Sequence, residues 1–180
     1  MVEQLPSRWS SERLLISDVE VSDIAELQSL YDTSRYIQQW DGQENDPNYV
    51  KNCLEQGNLP PGGTLNNYRI QSIRTAAEDQ KIGLLSVYHG YPAENVLYLE
   101  FLYIQSGVQK QGYGQEMMSA LTRQLAGLGY HEIRINVALK NWPALRFWFR
   151  SGFSQISGIY GDTEHTSTSF ANMELIKNLL

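Results

Sequence analysis

The sequence predicts an α/β (α+β) fold, a mixed β-sheet layered with helices, and three observations predict it. Residues 96–104, Val-Leu-Tyr-Leu-Glu-Phe-Leu-Tyr-Ile, are an almost unbroken apolar run of strand length. A glycine-rich turn, Gln109-Lys110-Gln111-Gly112-Tyr113-Gly114, then opens a helical pattern with Met117, Met118, Leu121 and Leu125 on one face. After it, Ile133, Ile135, Val137 and Leu139 alternate with Arg134, Asn136, Ala138 and Lys140, the pattern of a half-buried strand. Strands and helices that follow one another in this way pack as layers around one core.

The other elements follow in chain order. Residues 13–19 alternate loosely and predict a first strand. Ser22 or Asp23 can cap a short helix carrying Ile24, Leu27 and Leu30. Residues 31–48 are polar and aromatic, with Tyr31, Tyr36 and Trp40, and Asp46-Pro47 predicts a helix start with proline at the first helical position. Residues 58–67, rich in Pro and Gly, form a loop. Residues 68–75 and 81–88 are two strands joined through the polar turn Ala77-Glu78-Asp79-Gln80. The apolar strand 96–104 is central, and the helix 112–126 ends at Gly127 or Gly129. A helix over 142–150 has Pro143 near its start and closes at Gly152. Residues 153–160 and 168–175 read as a final hairpin across Gly161-Asp162.

Composition narrows the function. A chain of 180 residues, 42% hydrophobic, is sized for one domain, taken as 1–180. No apolar stretch reaches the length of a membrane span, and the N-terminus lacks the basic start and apolar core of a signal peptide, so a cytoplasmic location is expected. The single cysteine, Cys53, excludes an intramolecular disulfide and a cysteine metal cluster, and it reads as a half-buried small apolar residue of a helix. A net charge of −6 argues against nucleic-acid binding and mildly favours a cationic partner such as an amine. His89, His131 and His165 have no metal-ligand spacing and are expected on the surface, and no metal is indicated.

The turn carries the chemistry. The first N–H groups of a helix have no partner inside it and lie at the positive end of the helix dipole, where they suit a phosphate or diphosphate. Glycine at 112 and 114 permits positive φ and close approach of a ligand. Gly-Lys-Ser/Thr is missing, so a P-loop does not fit.

Two segments together resemble the GCN5-related N-acetyltransferases (GNAT). Residues 109–114 match that family's Gln/Arg-x-x-Gly-x-Gly/Ala signature. Asn141-Trp142-Pro143-Ala144, then Phe147-Trp148 and Gly152-Phe153, are similar to its second motif, at the right distance. The opening Ser-Glu-Arg-Leu-Leu-Ile is similar to the branch that acetylates ribosomal-protein N-termini, which also holds antibiotic and small-amine acetyltransferases.

The resemblance implies a mostly antiparallel sheet of six to seven strands flanked by about four helices. It implies acetyl-CoA as donor and an amine of a small molecule or a peptide terminus as acceptor. It also implies a diphosphate held by the amides of Gln109, Lys110, Gln111, Gly112, Tyr113 and Gly114, with Lys110 either adding charge or lying solvated at the surface. Leu102, Tyr103 and Ile104 would offer main-chain groups to the pantetheine arm between two splayed strands. Asn141 would hydrogen-bond the cofactor. Ala144, Phe147 and Trp148 would line it, or the two aromatics would be plain core. Dimers are common in the family, and the final hairpin offers an edge for one.

Glu100 is the one charged residue of the run 96–104. Burial would raise its pKa toward neutrality, so it is either a general base or a structural glutamate bonded across the sheet. Many relatives carry a tyrosine general acid where this chain has Trp148, so Tyr103, Tyr113 or Tyr160 serves instead, or the thiolate leaves unassisted. Tyr31, Tyr36, Trp40 and Tyr160 are candidate acceptor walls, with Asp41, Glu44, Asp162 and Glu164 to attract a cation, unless these aromatics only pack. A second reading keeps the fold and the acyl-CoA pocket without turnover, as a sensor.

Overall fold

The computed structural model describes residues 2–179. Among the described residues there are eight strands: β1 (Arg8–Ser10), β2 (Leu14–Asp18), β3 (Tyr68–Thr75), β4 (Lys81–His89), β5 (Val96–Ile104), β6 (Glu132–Ala138), β7 (Gln155–Gly161) and β8 (Ala171–Asn178). They form one sheet in the order β1-β2-β3-β4-β5-β6-β8-β7, antiparallel except between β5 and β6. The helices are α1 (Ile24–Asp32), α2 (Gln38–Asp41), α3 (Tyr49–Glu55), α4 (Tyr113–Gly127) and α5 (Trp142–Arg150). The mixed, mostly antiparallel layer fold is as the sequence predicts, with one more strand and a one-turn extra helix. The extra strand, β1, has only three residues, too few to show a period of two. Its pairing with β2, Trp9 opposite Ile16, is what makes it a strand.

Each face of the sheet has its own core. On one face α4 and α5 cover an aliphatic cluster that includes Leu14, Ile16, Ile73, Leu85, Leu97, Leu99, Leu121 and Ile133. On the other, α1 and α3 cover Leu27, Leu30, Val50 and Leu84 together with Tyr68, Tyr88, Tyr98 and Tyr103.

The helix ends follow their capping chemistry. Gly129, at φ +88°, ends α4, with the Tyr130 N–H returning to the Leu125 carbonyl. Asn141 caps α5, accepting from the Ala144 N–H at 3.1 Å. Gly152, at φ +92°, ends α5, and the Phe153 N–H returns to the Trp148 carbonyl.

Two predicted boundaries move. The helix expected at Asp46-Pro47 begins at Tyr49, because Asp46 folds the chain into a turn first. Its carboxylate accepts the Asn48 N–H at 2.8 Å and the Asn52 amide at 2.8 Å. The final hairpin does not cross at Gly161-Asp162. Residues 162–170 form a loop, closed by the Asp162 N–H to the Phe170 carbonyl and the Phe170 N–H to the Asp162 carboxylate, and β8 runs on to Asn178.

Candidate active site

The two central strands separate within a few residues. β5 and β6 pair only at Val96↔Glu132, Leu97↔Ile133 and Tyr98↔Arg134. Beyond Tyr98 the β6 side of β5 is open. The Gln105 N–H donates to Ile82 on β4, so ladder alternation turns the main-chain groups of Tyr103 toward β4 and those of Leu102 and Ile104 toward the opening. The Ile104 carbonyl shows this direction, since it accepts the Gln109 side-chain amide at 2.7 Å.

The turn after β5 is a cradle of amides. Lys110 and Gly112 both adopt positive φ, +63° and +88°. The N–H groups of Lys110 through Gln115 donate to no acceptor among the described residues. Gly114 is needed for a different reason: a Cβ there would come within 3.0 Å of the Phe147 ring, so its hydrogen sets how closely α4 and α5 approach. Gln109 holds the cradle to β5 through its side chain, which also donates to the Tyr36 hydroxyl at 3.2 Å. The Lys110 side chain is exposed.

The second motif divides between capping and core. The side-chain oxygen of Asn141 is used by the α5 cap. Ala144 and Phe147 are half-buried against the aliphatic cluster. Trp148 is only 5% exposed and packs edge-on against Phe147 at 4.8 Å and Phe153 at 5.2 Å. Its position is that of a core residue between helix and sheet.

Glu100 lies on the tyrosine-rich face at the start of the opening. Ser86 pairs with Phe101 and Val87 with Leu99, so Glu100 is the extra residue of a β-bulge. Its carboxylate accepts the Asn58 side-chain amide at 2.8 Å. Burial pushes its pKa up to about 7, against the opposing effect of the Asn58 bond. The bulge shows faintly in the sequence as the spacing of the aromatics at 98, 101 and 103, three and then two, where a regular strand would keep two.

The surroundings of Glu100 are buried and polar. Tyr68 is 8% exposed and Ser86 1%, and neither hydroxyl has a hydrogen-bond partner among the described residues. Burial raises the pKa of Tyr49, Tyr68 and the Cys53 thiol. Cys53, only 5% exposed, is more buried than the sequence suggests. The Tyr103 hydroxyl exchanges a hydrogen bond with Thr33 at 2.9 Å, while Tyr113 packs beneath the Arg13 guanidinium at 4.5 Å and Tyr160 is exposed.

Among the candidate acceptor walls, Tyr31 stacks on Tyr49 at 4.0 Å with Phe101 edge-on to both, and Trp40 meets Tyr36 edge-on. Phe170 sits against Gly42 at the end of α2, so the 162–170 loop reaches the α1–α3 side. Tyr160, Asp162 and Glu164 line a shallow cleft of about 320 Å³ under that loop. The cleft is not uniformly anionic: Lys140 shares it, over the Phe170 ring at 4.3 Å and bonded to the Thr166 and Ser167 carbonyls. Asp41 has its pKa raised by burial.

One histidine departs from expectation. His89 is 3% exposed, because the end of β4 tucks under Tyr130, whose hydroxyl lies 2.6 Å from its Nδ1. Burial lowers its pKa to about 4, so it is neutral at physiological pH. No helix among the described residues is long and apolar enough to cross a membrane.

Sequence comparison agrees with this geometry. The profile of the acetyltransferase (GNAT) family matches residues 33–153. No protein of curated function matches the sequence. Many solved structures share the fold. An acetyltransferase from Salmonella typhimurium that modifies the N-terminal serine of a 50S ribosomal subunit protein superposes with a TM-score of 0.71 at 16% identity, covering 93% of this chain and 96% of that one. Spermidine N-acetyltransferase from Vibrio cholerae, in complex with CoA and spermine, gives 0.70 at 16% identity over 92% and 95%. A GNAT-family acetyltransferase from Bacillus anthracis gives 0.69 at 16% identity over 96% and 98%. With the family profile spanning well over half of the sequence, and with splayed central strands and an amide cradle where its motifs fall, this chain belongs to the GNAT acetyltransferase family.

Proposed function

We propose that this protein moves the acetyl group of acetyl-CoA to an amine of a small molecule or of a peptide N-terminus. The observation that carries the reading is Glu100, a half-buried carboxylate on the bulge where β5 parts from β6, its pKa pushed up by burial. The residues present fit the donor. The free amides of 110–115 can hold a diphosphate. The outward main-chain groups of Leu102 and Ile104 can take an extended arm as an added strand. Ala144 and Phe147 offer it an apolar flank, and Asn141 keeps its amide nitrogen for it once its oxygen has capped α5. When bound, the donor supplies a thioester carbonyl open to attack by a neutral amine.

The residues of this chain manage protons and charge. An alkyl amine resembles lysine, with a pKa of about 10.4, and is almost wholly protonated at neutral pH. Glu100, with Asn58 fixing one oxygen, accepts that proton directly or through one water. The Leu102 N–H, pointing into the opening, stabilises negative charge on the carbonyl oxygen. Trp148 is packed in the core, and the leaving thiolate is stable enough to depart without an acid.

Thiol release from acetyl-CoA against a panel of polyamines, aminoglycosides and peptides with free N-termini tests the reading. Acceptor-dependent release that Glu100→Gln slows about 100-fold or more is the expected result. A second reading, an acyl-CoA sensor, draws on Trp148 standing where relatives keep a tyrosine. It predicts thermal stabilisation by acetyl-CoA with no turnover on any acceptor.

A further inference from the structure

We propose that Arg13, from the turn between β1 and β2, is a diphosphate-binding residue of the acetyl-CoA site; the inference rests on the donor reading above. The sequence motif draws attention to Lys110, yet the cation beside the cradle is Arg13, about a hundred residues earlier. Its Nη2 lies 3.3 Å from where a Cβ of Gly112 would stand. Its Nη1 donates to the Gln111 carbonyl at 3.3 Å, and the guanidinium covers the Tyr113 ring at 4.5 Å. Three consecutive cradle residues are thus touched by one cation that is still 45% exposed.

The reason for a cation here lies in Glu116. This carboxylate sits in the first turn of α4, close to the amides that would bind an anion. Alone it would repel a diphosphate. It is instead held by the Ser11 hydroxyl at 2.6 Å, the Arg13 N–H at 2.7 Å and the Arg13 Nε at 2.6 Å. The hydrogen bonds and charge of that clasp keep its pKa low, although partial burial opposes them. Arg13 therefore neutralises Glu116 with one edge and leaves Nη2 without a partner among the described residues. A planar guanidinium can serve a carboxylate and a phosphate at once from separate edges held in fixed geometry.

Calorimetry on the full chain with acetyl-CoA and with 3′-dephospho-CoA tests this. Arg13→Gln is expected to weaken uptake of both ligands about tenfold or more and to flatten the salt dependence of binding. Ser11→Ala loosens the same clasp without removing charge and is expected to change binding less than about twofold. Equal losses in the two variants would show that docking of the β1–β2 turn, not charge, matters, and would overturn the proposal. A loss that vanishes with the 3′-dephospho ligand would overturn the diphosphate assignment. Unchanged binding in Arg13→Gln would overturn it outright, whereas no binding by the unaltered protein would sink the donor reading itself.

Discussion

The two faces of one sheet have been given different chemistry. The face under α4 and α5 is aliphatic, and what it would present toward the proposed cofactor is almost all main chain: amides of the cradle without acceptors among the described residues and the outward groups of Leu102 and Ile104. The face under α1 and α3 is tyrosine-rich, with Glu100, Cys53 and two hydroxyls, of Tyr68 and Ser86, that lack partners among the described residues. Main-chain recognition depends on shape, so it demands tight packing behind it. Proton handling depends on solvation, so it demands buried polar groups even where they reduce stability.

The largest expected effect breaks the comparison from the packed side. Trp148→Ala should cost about 3–5 kcal/mol, read as a fall in thermal or urea stability, since the indole is core. A variant of unaltered stability that merely bound acetyl-CoA less well would make Trp148 part of the ligand wall instead. Next comes Glu100. Activity should rise with pH through about 7 and then level, following its deprotonation. Glu100→Gln should lower kcat about 100-fold or more and erase that limb.

The same residue makes a stability prediction of opposite sense. Its folded pKa is raised above its ordinary 4.5, so the favourable contribution of the protonated form is full below about 4.5 and is lost as pH rises through about 7. Glu100→Gln should therefore gain stability over the unaltered protein at pH 8 and not at pH 4, which paired melts at the two pH values would show. Asn141→Ala removes the α5 cap and should cost about 1 kcal/mol; a larger loss of ligand affinity than of stability would point to its free amide nitrogen. Smallest is Tyr68→Phe. Its buried hydroxyl has no partner among the described residues to lose, so stability should stay within about 0.5 kcal/mol or rise.

The sequence disclosed the α4/α5 face far better than the other. A glycine cradle, an asparagine cap and apolar periodicity are local signals, and residues 109–114 and 141–153 lie in one continuous stretch with β6 between them. The resemblance covers that stretch, and the fold followed from it. Glu100 stood out as a lone charge, but the bulge that turns it and the Asn58 side chain that holds it come from pairings across the sheet. Arg13 was hidden for the same reason: nothing near it in the chain reveals that it reaches Gln111 and Glu116. β1 was too short to show a pattern, and His89 read as exposed because its cover, Tyr130, lies on another element.

The bulge has one more consequence. Before it, Leu97 and Leu99 face the aliphatic helices; after it, Leu102 and Ile104 do, which strict two-residue counting would forbid. The parity of the strand is thus reset at a single position. Exchanging Glu100 for another amino acid leaves that extra position in place. Deleting the position would restore plain alternation, Tyr98, Leu99, Phe101, Leu102, with every side chain still on its own face, whereas straightening the strand with residue 100 kept would turn Phe101 through Ile104 inside out; the bulge is what lets a strand one residue longer keep both layers intact.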